Sequence, residues 1–156
     1  MRLRFRKAGR EDVTLYYEWA NENEVRKNSY SQEAIPYENH VRWFEAKIES
    51  PSSLLLLFFV EDSGQPVGQV RFENEANLES IIGISIDKNY RGMGLAPELL
   101  TLSTSYFHDV FPENKITAYI KKENISSIKS FRSAGFKNET ECQYFGIKSI
   151  KLSKYD

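Results

Sequence analysis

The residues best suited to chemistry form the glycine-rich segment Arg91–Ala96, whose sequence is RGMGLA. An apolar segment, Ile82–Ile86, precedes it, and a run typical of a helix follows it. Backbone N–H groups at a helix N-terminus are unpaired and carry partial positive charge, and glycines allow a phosphate to approach the backbone closely. The pattern therefore predicts a phosphate-binding turn. The alternative is a tight turn that only packs the helix against the strand.

Two widespread phosphate motifs do not fit this segment. The dinucleotide-binding motif requires G-x-G-x-x-G, whereas Gly92-Met93-Gly94 continues to Pro97 where the third glycine should stand. The P-loop requires Gly-Lys-Ser/Thr after its glycines, and that tripeptide does not follow here. A different phosphate ligand is therefore indicated.

A third pattern does fit, and it has two parts. Arg91-x-x-Gly94-x-Ala96 is followed downstream by Asn124-x-x-Ser127-Ile128-x-x-Phe131-x-x-x-Gly135-Phe136. In both motifs and in their order, the chain resembles the GCN5-related N-acetyltransferase (GNAT) superfamily over nearly its whole length.

The resemblance implies acetyl-CoA as cofactor. Backbone N–H groups of the turn would hold the coenzyme A pyrophosphate, and the pantetheine arm would lie in a gap between Ile84–Ile86 and the strand Thr117–Ile120. One N–H of that first strand would polarise the thioester carbonyl. Asn124 would also bond the cofactor, and its alternative role is a helix N-cap. The implied cofactor-binding residues are Ile84, Ser85, Ile86, Arg91, Gly92, Met93, Gly94, Leu95, Ala96, Asn124, Ser127 and Phe131.

Position 131 departs from the family pattern. Many members have a Tyr there that protonates the departing thiolate, and the phenyl ring of Phe131 has no proton to donate. A thiolate with a pKa near that of cysteine, about 8.5, leaves readily, so water or another hydroxyl could suffice. Tyr119 and Ser85 are candidate acids. The alternative for Tyr119 is a cross-strand aromatic in the sheet.

A general base must accept the proton of the attacking amine. By resemblance, carboxylates at the ends of the central strands do this work, and Glu73, Glu75 and Glu79 lie at such ends. Each could instead be a solvated loop charge. His40 is a further candidate, with a helix-surface histidine as its alternative.

The N-terminal half contains the segment Trp19-x-Asn21-x-x-x-Val25-Arg26, followed by His40-x-x-Trp43-Phe44. In these residues it resembles the GNAT branch that acetylates nucleotide-linked amino sugars in bacterial surface-polysaccharide pathways. Aromatic rings could stack on a base or sugar, and an arginine could bind a diphosphate. Alternatives are core packing for Trp43 and a solvated helix-end charge for Arg26; alternative acceptors are a protein N-terminus or an antibiotic amine. The candidate acceptor residues are Trp19, Asn21, Arg26, Tyr30, His40 and Trp43.

Hydrophobic periodicity predicts the elements that position these residues. Their order is strand, two helices, three strands, helix, strand, helix and two strands, which indicates one α/β (α+β) domain over residues 1–156. We expect the GNAT fold, with four helices and a mixed, mostly antiparallel sheet of about seven strands. The inner face of the longest helix is predicted to carry Leu95, Leu99, Leu102, Tyr106 and Val110.

Composition narrows the function classes. The chain has 156 residues and a net charge of −1, which does not favour binding to nucleic acid. With one cysteine and two histidines, neither a disulfide nor a Cys/His metal site is expected. No apolar segment is long enough for a signal peptide or a membrane span, so we expect a cytoplasmic protein. Its terminal strands could pair across a homodimer.

Two functions remain open from the sequence. The first is an enzyme that transfers an acetyl group to a primary amine of a small molecule by direct attack in a ternary complex. The second is an acyl-CoA-binding module or sensor with little or no turnover, in which Phe131 marks lost catalysis.

Overall fold

A computed structural model describes residues 1–155 as one sheet with helices on both faces. The strands are β1 (Leu3–Lys7), β2 (Ser53–Val60), β3 (Pro66–Asn74), β4 (Glu79–Ile86), β5 (Lys115–Lys121), β6 (Lys137–Tyr144) and β7 (Ile147–Lys154). The α-helices are α1 (Val13–Ala20), α2 (Asn23–Asn28), α3 (Tyr37–Glu49), α4 (Ala96–Val110) and α5 (Ile125–Ser133). Asp156, the last residue of the predicted domain, lies outside the described residues.

The seven strands follow the order β1-β2-β3-β4-β5-β7-β6. Neighbouring strands are antiparallel except β4 and β5, which are parallel and joined through α4. The predicted mostly antiparallel sheet is therefore confirmed. None of the helices in residues 1–155 is both long and apolar enough to cross a membrane.

The parallel pair of strands separates early. The register joins Glu79 to Lys115, Ser80 to Ile116 and Ile81 to Thr117, and it ends there. Beyond that point β4 stays paired with β3 and β5 with β7, so both strands remain in the sheet while their facing edges part. This divergence opens the gap that the family resemblance predicts.

The sheet is covered on both faces, which explains the uninterrupted apolar sequence of β2. Alternate residues of a strand point to opposite faces. Leu54, Leu56 and Phe58 join the larger core, together with residues of α4 and α5. Leu55 and Leu57 join a smaller core beneath α1 and α3.

The predicted inner face of α4 is partly wrong. Leu102 and Val110 are 36% and 47% exposed, and Leu95 and Tyr106 only border the core. Ser103 and Thr104 pack inward instead, because their short hydroxyl groups donate to the carbonyls of Leu100 and Thr101 and so carry no unpaired polar atom into the core. The buried residues of this helix are Leu99, Leu100, Ser103, Thr104 and Phe107.

The four predicted helices correspond to α1, α3, α4 and α5, and α2 is an additional helix that periodicity did not predict. Its six residues contain one apolar side chain, Val25, so no hydrophobic pattern marks it. The carboxylate of Glu22 caps its N-terminus by accepting from the Val25 N–H at 3.2 Å.

Asp12 anchors the start of α1. Its carboxylate is buried and accepts two bonds of 2.8 Å from the Arg6 guanidinium and one of 2.8 Å from the Gly9 N–H. Burial by itself raises the pKa of Asp12, but the bonds from Arg6 and Gly9 outweigh it and hold the pKa below its usual value. The charged form is therefore favoured in the folded protein.

We expect Asp12→Ala to lower the free energy of unfolding at pH 7 by about 2 kcal/mol. Because folding lowers the Asp12 pKa, this stabilisation is complete above the usual value of 3.8 and is lost as the pH falls through the lowered value. Urea unfolding at pH 7 and pH 2.5 measures both points. Glu11→Ala is the control, since the Glu11 side chain is 72% exposed. An equal wild-type-to-variant difference at both pH values would contradict this account.

Candidate active site

A cavity of about 1120 Å³ occupies the gap between β4 and β5 and extends over the sheet beneath α1–α3. Its walls come from β3, β4, β5, the turn before α4, the start of α5 and the tip of the β6–β7 hairpin. The volume is at the upper end for ligand pockets, which are about 300–1,000 Å³. It is large enough for an extended cofactor together with a small acceptor.

The glycine turn has the geometry of an anion site. Gly92 and Gly94 have φ values of +77° and +72°, which side chains rarely adopt, and a Cβ added at either would meet no atom within 4 Å. The turn therefore presents open backbone to the cavity just before α4 begins at Ala96. Gly92, Gly94, Leu95 and Ala96 line the cavity, whereas the Met93 side chain is 55% exposed and does not.

The Arg91 side chain is engaged with protein groups rather than presented to a phosphate. Its guanidinium donates to both carboxylate oxygens of Glu22 at 3.0 and 2.8 Å, and its Nε donates to the Ile86 carbonyl at 3.1 Å. The bond from Arg91 lowers the pKa of Glu22, so the ion pair is formed at neutral pH. Arg91 thus ties the turn to the N-terminus of α2.

The two sides of the gap carry the predicted cofactor residues. Ile84, Ser85 and Ile86 line one side, and the Ser85 hydroxyl accepts from the Gln69 amide at 2.9 Å. Asn124 and Ser127 line the other, where the Asn124 carbonyl oxygen accepts from the Ser127 N–H at 3.3 Å. Asn124 is therefore a helix N-cap, and it faces the cavity as well.

Phe131 and Tyr119 also line the cavity. Phe131 is 3% exposed and meets Phe136 edge-on at 4.9 Å. Tyr119 stacks parallel to Tyr144 at 3.9 Å, with the Lys151 ammonium 5.7 Å from its ring centre. Tyr119 is thus part of an aromatic stack in the sheet and borders the cavity at the same time.

The candidate carboxylates separate into two groups. Glu73 and Glu75 line the cavity, and Glu73 lies 3.7 Å from the Lys47 ammonium. Glu79 does not line it: the Glu79 carboxylate accepts from the Thr117 hydroxyl at 2.8 Å and pairs with Lys115 at 3.6 Å. The geometry favours Glu73 and Glu75 as bases over Glu79.

His40 is buried, so the alternative of a helix-surface histidine is wrong. It is 2% exposed, its Nε2 donates to the Val13 carbonyl at 3.1 Å, and its ring stacks on Phe44. Burial lowers the pKa of His40 in spite of that carbonyl, so the imidazole is neutral at pH 7. Its neutral ring lies on the cavity wall.

Arg26 and Asn21, both predicted to bind the acceptor, are bonded to backbone groups, although Arg26 also lines the cavity. The Arg26 guanidinium donates to three backbone carbonyls and one hydroxyl, of Ala20, Ser31, Glu33 and Ser29. The Asn21 amide bonds both backbone groups of Ile35 and lies outside the cavity lining. Because these groups hold the loop 29–36 in place, Arg26 has no open fork for a diphosphate, and it is not a solvated charge either.

Trp19, another residue predicted to bind the acceptor, is also held by contacts within the protein. It borders the cavity but is only 7% exposed, packs in the smaller core, and donates its Nε1–H to Asp87 at 2.8 Å. A buried ring in this position does not offer a free face for stacking. Trp43 is half-buried beside the same core and lines the cavity, so both of its predicted roles remain open.

Tyr30 lies in an aromatic wall that sequence reasoning did not identify. Its hydroxyl bonds the Ser149 hydroxyl at 2.7 Å, and its ring meets Tyr144 edge-on at 4.9 Å. Phe145, at the hairpin tip, is 77% exposed and adjoins both rings. The wall joins chain segments more than 100 residues apart, so local sequence carries no signal for it.

Sequence reasoning also missed Tyr16, Gln69 and Arg71, which line the same cavity. Alternation along β3 could have placed Gln69, Arg71 and Glu73 on one face of the sheet, because side chains two residues apart point the same way. The position of that face beneath α1 was not readable from the pattern.

Comparison with known families gives a match over most of the chain. Residues 2–137 match the family described as acetyltransferase (GNAT) domain. No curated protein sequence matches the chain at a significant level.

Solved structures share the fold at low sequence identity. A spermidine N-acetyltransferase from Vibrio cholerae, in complex with CoA and spermine, superposes with a TM-score of 0.85 at 16% identity, covering 97% of this chain and 93% of that one. A domain from Methanocaldococcus jannaschii gives 0.82 at 21%, covering 98% and 99%. The aminoglycoside acetyltransferase AAC(6')-Ib with coenzyme A gives 0.80 at 16%, covering 98% and 94%. At these identities the likeness establishes the fold.

We expect Gly94→Val to abolish coenzyme A binding, because a β-branched side chain would fill the open space beside the turn and would strain a backbone at φ +72°. Isothermal titration with coenzyme A measures the loss, and circular dichroism checks that the variant is folded. Met93→Ala is the matched control, since the Met93 side chain lies outside the cavity. Unchanged affinity in a folded Gly94→Val protein would rule out the turn as the phosphate site.

Proposed function

The chain belongs to the acetyltransferase (GNAT) family, and from this premise we propose that it moves the acetyl group of acetyl-CoA to a primary amine by direct attack in a ternary complex. Membership makes it an acyltransferase with acetyl-CoA as cofactor. The observation that carries the proposal is the gap between β4 and β5, which opens beside the glycine turn and continues as one cavity beneath α1–α3.

The residues present fit this cofactor. Open backbone at Gly92 and Gly94 and the start of α4 would hold the pyrophosphate. The free edge of β4 at Ile84–Ile86 would pair with the pantetheine amides as an added strand does. Asn124 would add a side-chain bond from the opposite side of the gap. The phenyl ring of Phe131 would give an apolar contact.

The chain's own groups handle the protons. Glu73 or Glu75 would take the proton from the incoming ammonium, so that the neutral amine can attack. An N–H on the β4 edge would stabilise negative charge on the carbonyl oxygen. Tyr119 would supply a proton to the departing sulfur, and the second proton, which the nitrogen loses as the amide forms, would return to the Tyr119 oxygen. When bound, acetyl-CoA supplies a thioester whose C–S bond breaks as the bond from nitrogen to the acetyl carbon forms.

The acceptor that we propose more narrowly is a nucleotide-linked amino sugar. The aromatic wall of Tyr30, Tyr144 and Phe145 supports it because such rings stack on bases and sugars, and Trp43 lines the same cavity. Trp19 and Arg26 bond other protein groups, and this weakens the case for such an acceptor. Structural neighbours include a spermidine and an aminoglycoside acetyltransferase, so an antibiotic amine is the alternative, as is a protein N-terminus. Cytoplasmic location and a homodimer stay predictions.

The second candidate function is an acyl-CoA-binding module, and Phe131 is the observation that favours it. Release of free thiol from acetyl-CoA, measured against a panel of amino sugars, their nucleotides, polyamines, aminoglycosides and peptides, separates the two. Turnover with any amine supports the enzyme. Tight cofactor binding without turnover across the panel supports the module, and no binding at millimolar acetyl-CoA would refute both.

We expect Glu73→Gln to lower kcat/KM about a hundredfold, because the amide cannot accept the ammonium proton. The comparison variants are Glu75→Gln, on the same side of the cavity, and Glu79→Gln, whose carboxylate is held by Thr117 and Lys115. Initial rates measured from pH 6 to 9 give the test. The loss of kcat/KM in Glu73→Gln should shrink as alkaline pH deprotonates the amine. A larger loss in Glu79→Gln would overturn this assignment.

Tyr119→Phe should lower kcat by about tenfold or more if its hydroxyl protonates the thiolate. Tyr144→Phe is the matched control, because the two rings stack and both border the cavity. Phe131→Tyr, which restores the family residue, should rescue the Tyr119→Phe variant. Wild-type kcat in Tyr119→Phe would mean that the thiolate leaves without this acid.

A further inference from the structure

Arg71 lines the cavity, and its guanidinium lies against a glycine of the neighbouring strand. It stands opposite Gly83 in the β3–β4 register. A Cβ at Gly83 would be 2.7 Å from the Arg71 Cζ and 2.8 Å from its Nη2, so the guanidinium lies directly against the bare backbone. Any other residue at position 83 would push the guanidinium out of this place.

Among residues 1–155, no carboxylate pairs with the Arg71 guanidinium. Within residues 1–155, no group makes a hydrogen bond or an ion pair with Arg71, while Glu73 acts on it only at longer range. Burial lowers the pKa of Arg71, although an arginine stays charged at any physiological pH. The Arg71 side chain is partly exposed on the cavity wall, so a bound anion would have access to it and would complete the pairing.

Two buried polar atoms of residues that line the same cavity have no hydrogen-bond partner within residues 1–155. They are the hydroxyl of Tyr16, which is 4% exposed, and the carbonyl oxygen of Gln69, which is 5% exposed. Both residues line the cavity with Arg71, and the Arg71 charge acts on the Tyr16 hydroxyl. Burial raises the pKa of Tyr16, so its O–H remains a donor. Buried polar groups in native proteins are nearly always bonded, so two such atoms beside the partly exposed Arg71 guanidinium favour a ligand at this place.

We propose that Arg71 and Tyr16 bind an anionic oxygen group, a carboxylate or a phosphate, carried by the amine acceptor itself. This inference rests on the proposed function and adds the charge of the substrate. A planar guanidinium matches both oxyanions with paired N–H bonds. The Gln69 carbonyl would accept a bond from a hydroxyl or amine of the same molecule.

The position of Arg71 limits the distance between the anionic group of the acceptor and its reacting amine. Gly83 directly precedes Ile84–Ile86, the β4 segment assigned to the cofactor, so the oxyanion site adjoins the reaction centre. The anionic group and the reacting amine are therefore separated by a few bonds. A positive charge at this point also disfavours a polyamine such as spermine, whose amines are all cationic.

Matched pairs of acceptors test the proposal and distinguish the two anions. The pairs are glycine against glycinamide for carboxylate, and glucosamine 6-phosphate against glucosamine for phosphate. We expect the wild type to favour the anionic member of at least one pair by about tenfold or more in kcat/KM. Arg71→Met should remove that preference, Arg71→Lys should keep part of it, and Arg4→Met, on the far edge of the sheet, should leave it intact. Equal use of neutral and anionic members would overturn the inference.

Thermal unfolding gives a second readout that needs no turnover. With coenzyme A present to occupy the phosphate turn, sodium phosphate or sodium acetate should raise the melting temperature of the wild type more than sodium chloride does. Arg71→Met should not respond to these anions. A response that persists in Arg71→Met would overturn the inference.

The proposed transferase activity and the oxyanion site at Arg71 can be refuted separately. If no amine of any charge is acetylated, the proposed function fails, and the melting experiment still decides the role of Arg71. If neutral or cationic amines react as fast as anionic ones, the transferase stands and the oxyanion site is refuted.

Discussion

The separation of β4 from β5 after three residue pairs is the constraint on which the remaining structure depends. A continuous ladder would close the sheet and leave no room between Ile84–Ile86 and the facing segment of β5. Each strand keeps its outer partner, β3 or β7, so the opening removes hydrogen bonds from one edge only. The result is a pre-formed strand edge beside a helix N-terminus, which suits a ligand with an amide-bearing arm and a pyrophosphate.

Two contacts connect this opening to the helices above it. The ion pair of Arg91 with Glu22 joins the turn to α2, and the bond from Trp19 to Asp87 joins α1 to the end of β4. The motif arginine therefore works as a structural link, and the open backbone of the turn remains free of side-chain atoms. Two buried polar atoms without a partner in residues 1–155, the Tyr16 hydroxyl and the Gln69 carbonyl oxygen, belong to residues that line the same cavity, as does Arg71.

Much of this arrangement was predictable because it is encoded over short distances. The order of strands and helices follows from hydrophobic period, and the turn follows from two glycines before a helix start. The failures have separate causes. The inner face of α4 was misassigned because small hydroxyl side chains bond their own helix and pack inward, and α2 was missed because it is polar and short. For His40, a surface position was the alternative to a site role, and it is wrong because three neighbouring rings and the Val13 carbonyl surround the buried ring.

By itself, the sequence determined the order of the strands and of four of the five α-helices in residues 1–155, the glycine turn before α4 and, through two motifs, the family. These properties depend on residues close together in the chain, whose conformations and hydrogen bonds are largely local. Tertiary structure alone decided how far β4 and β5 pair, that Arg26 closes a loop and Trp19 a core, and that Arg71 faces a cavity without an ion-pair partner in residues 1–155. Each of these outcomes depends on which distant groups come within a few ångströms, and only packing of the whole chain determines that.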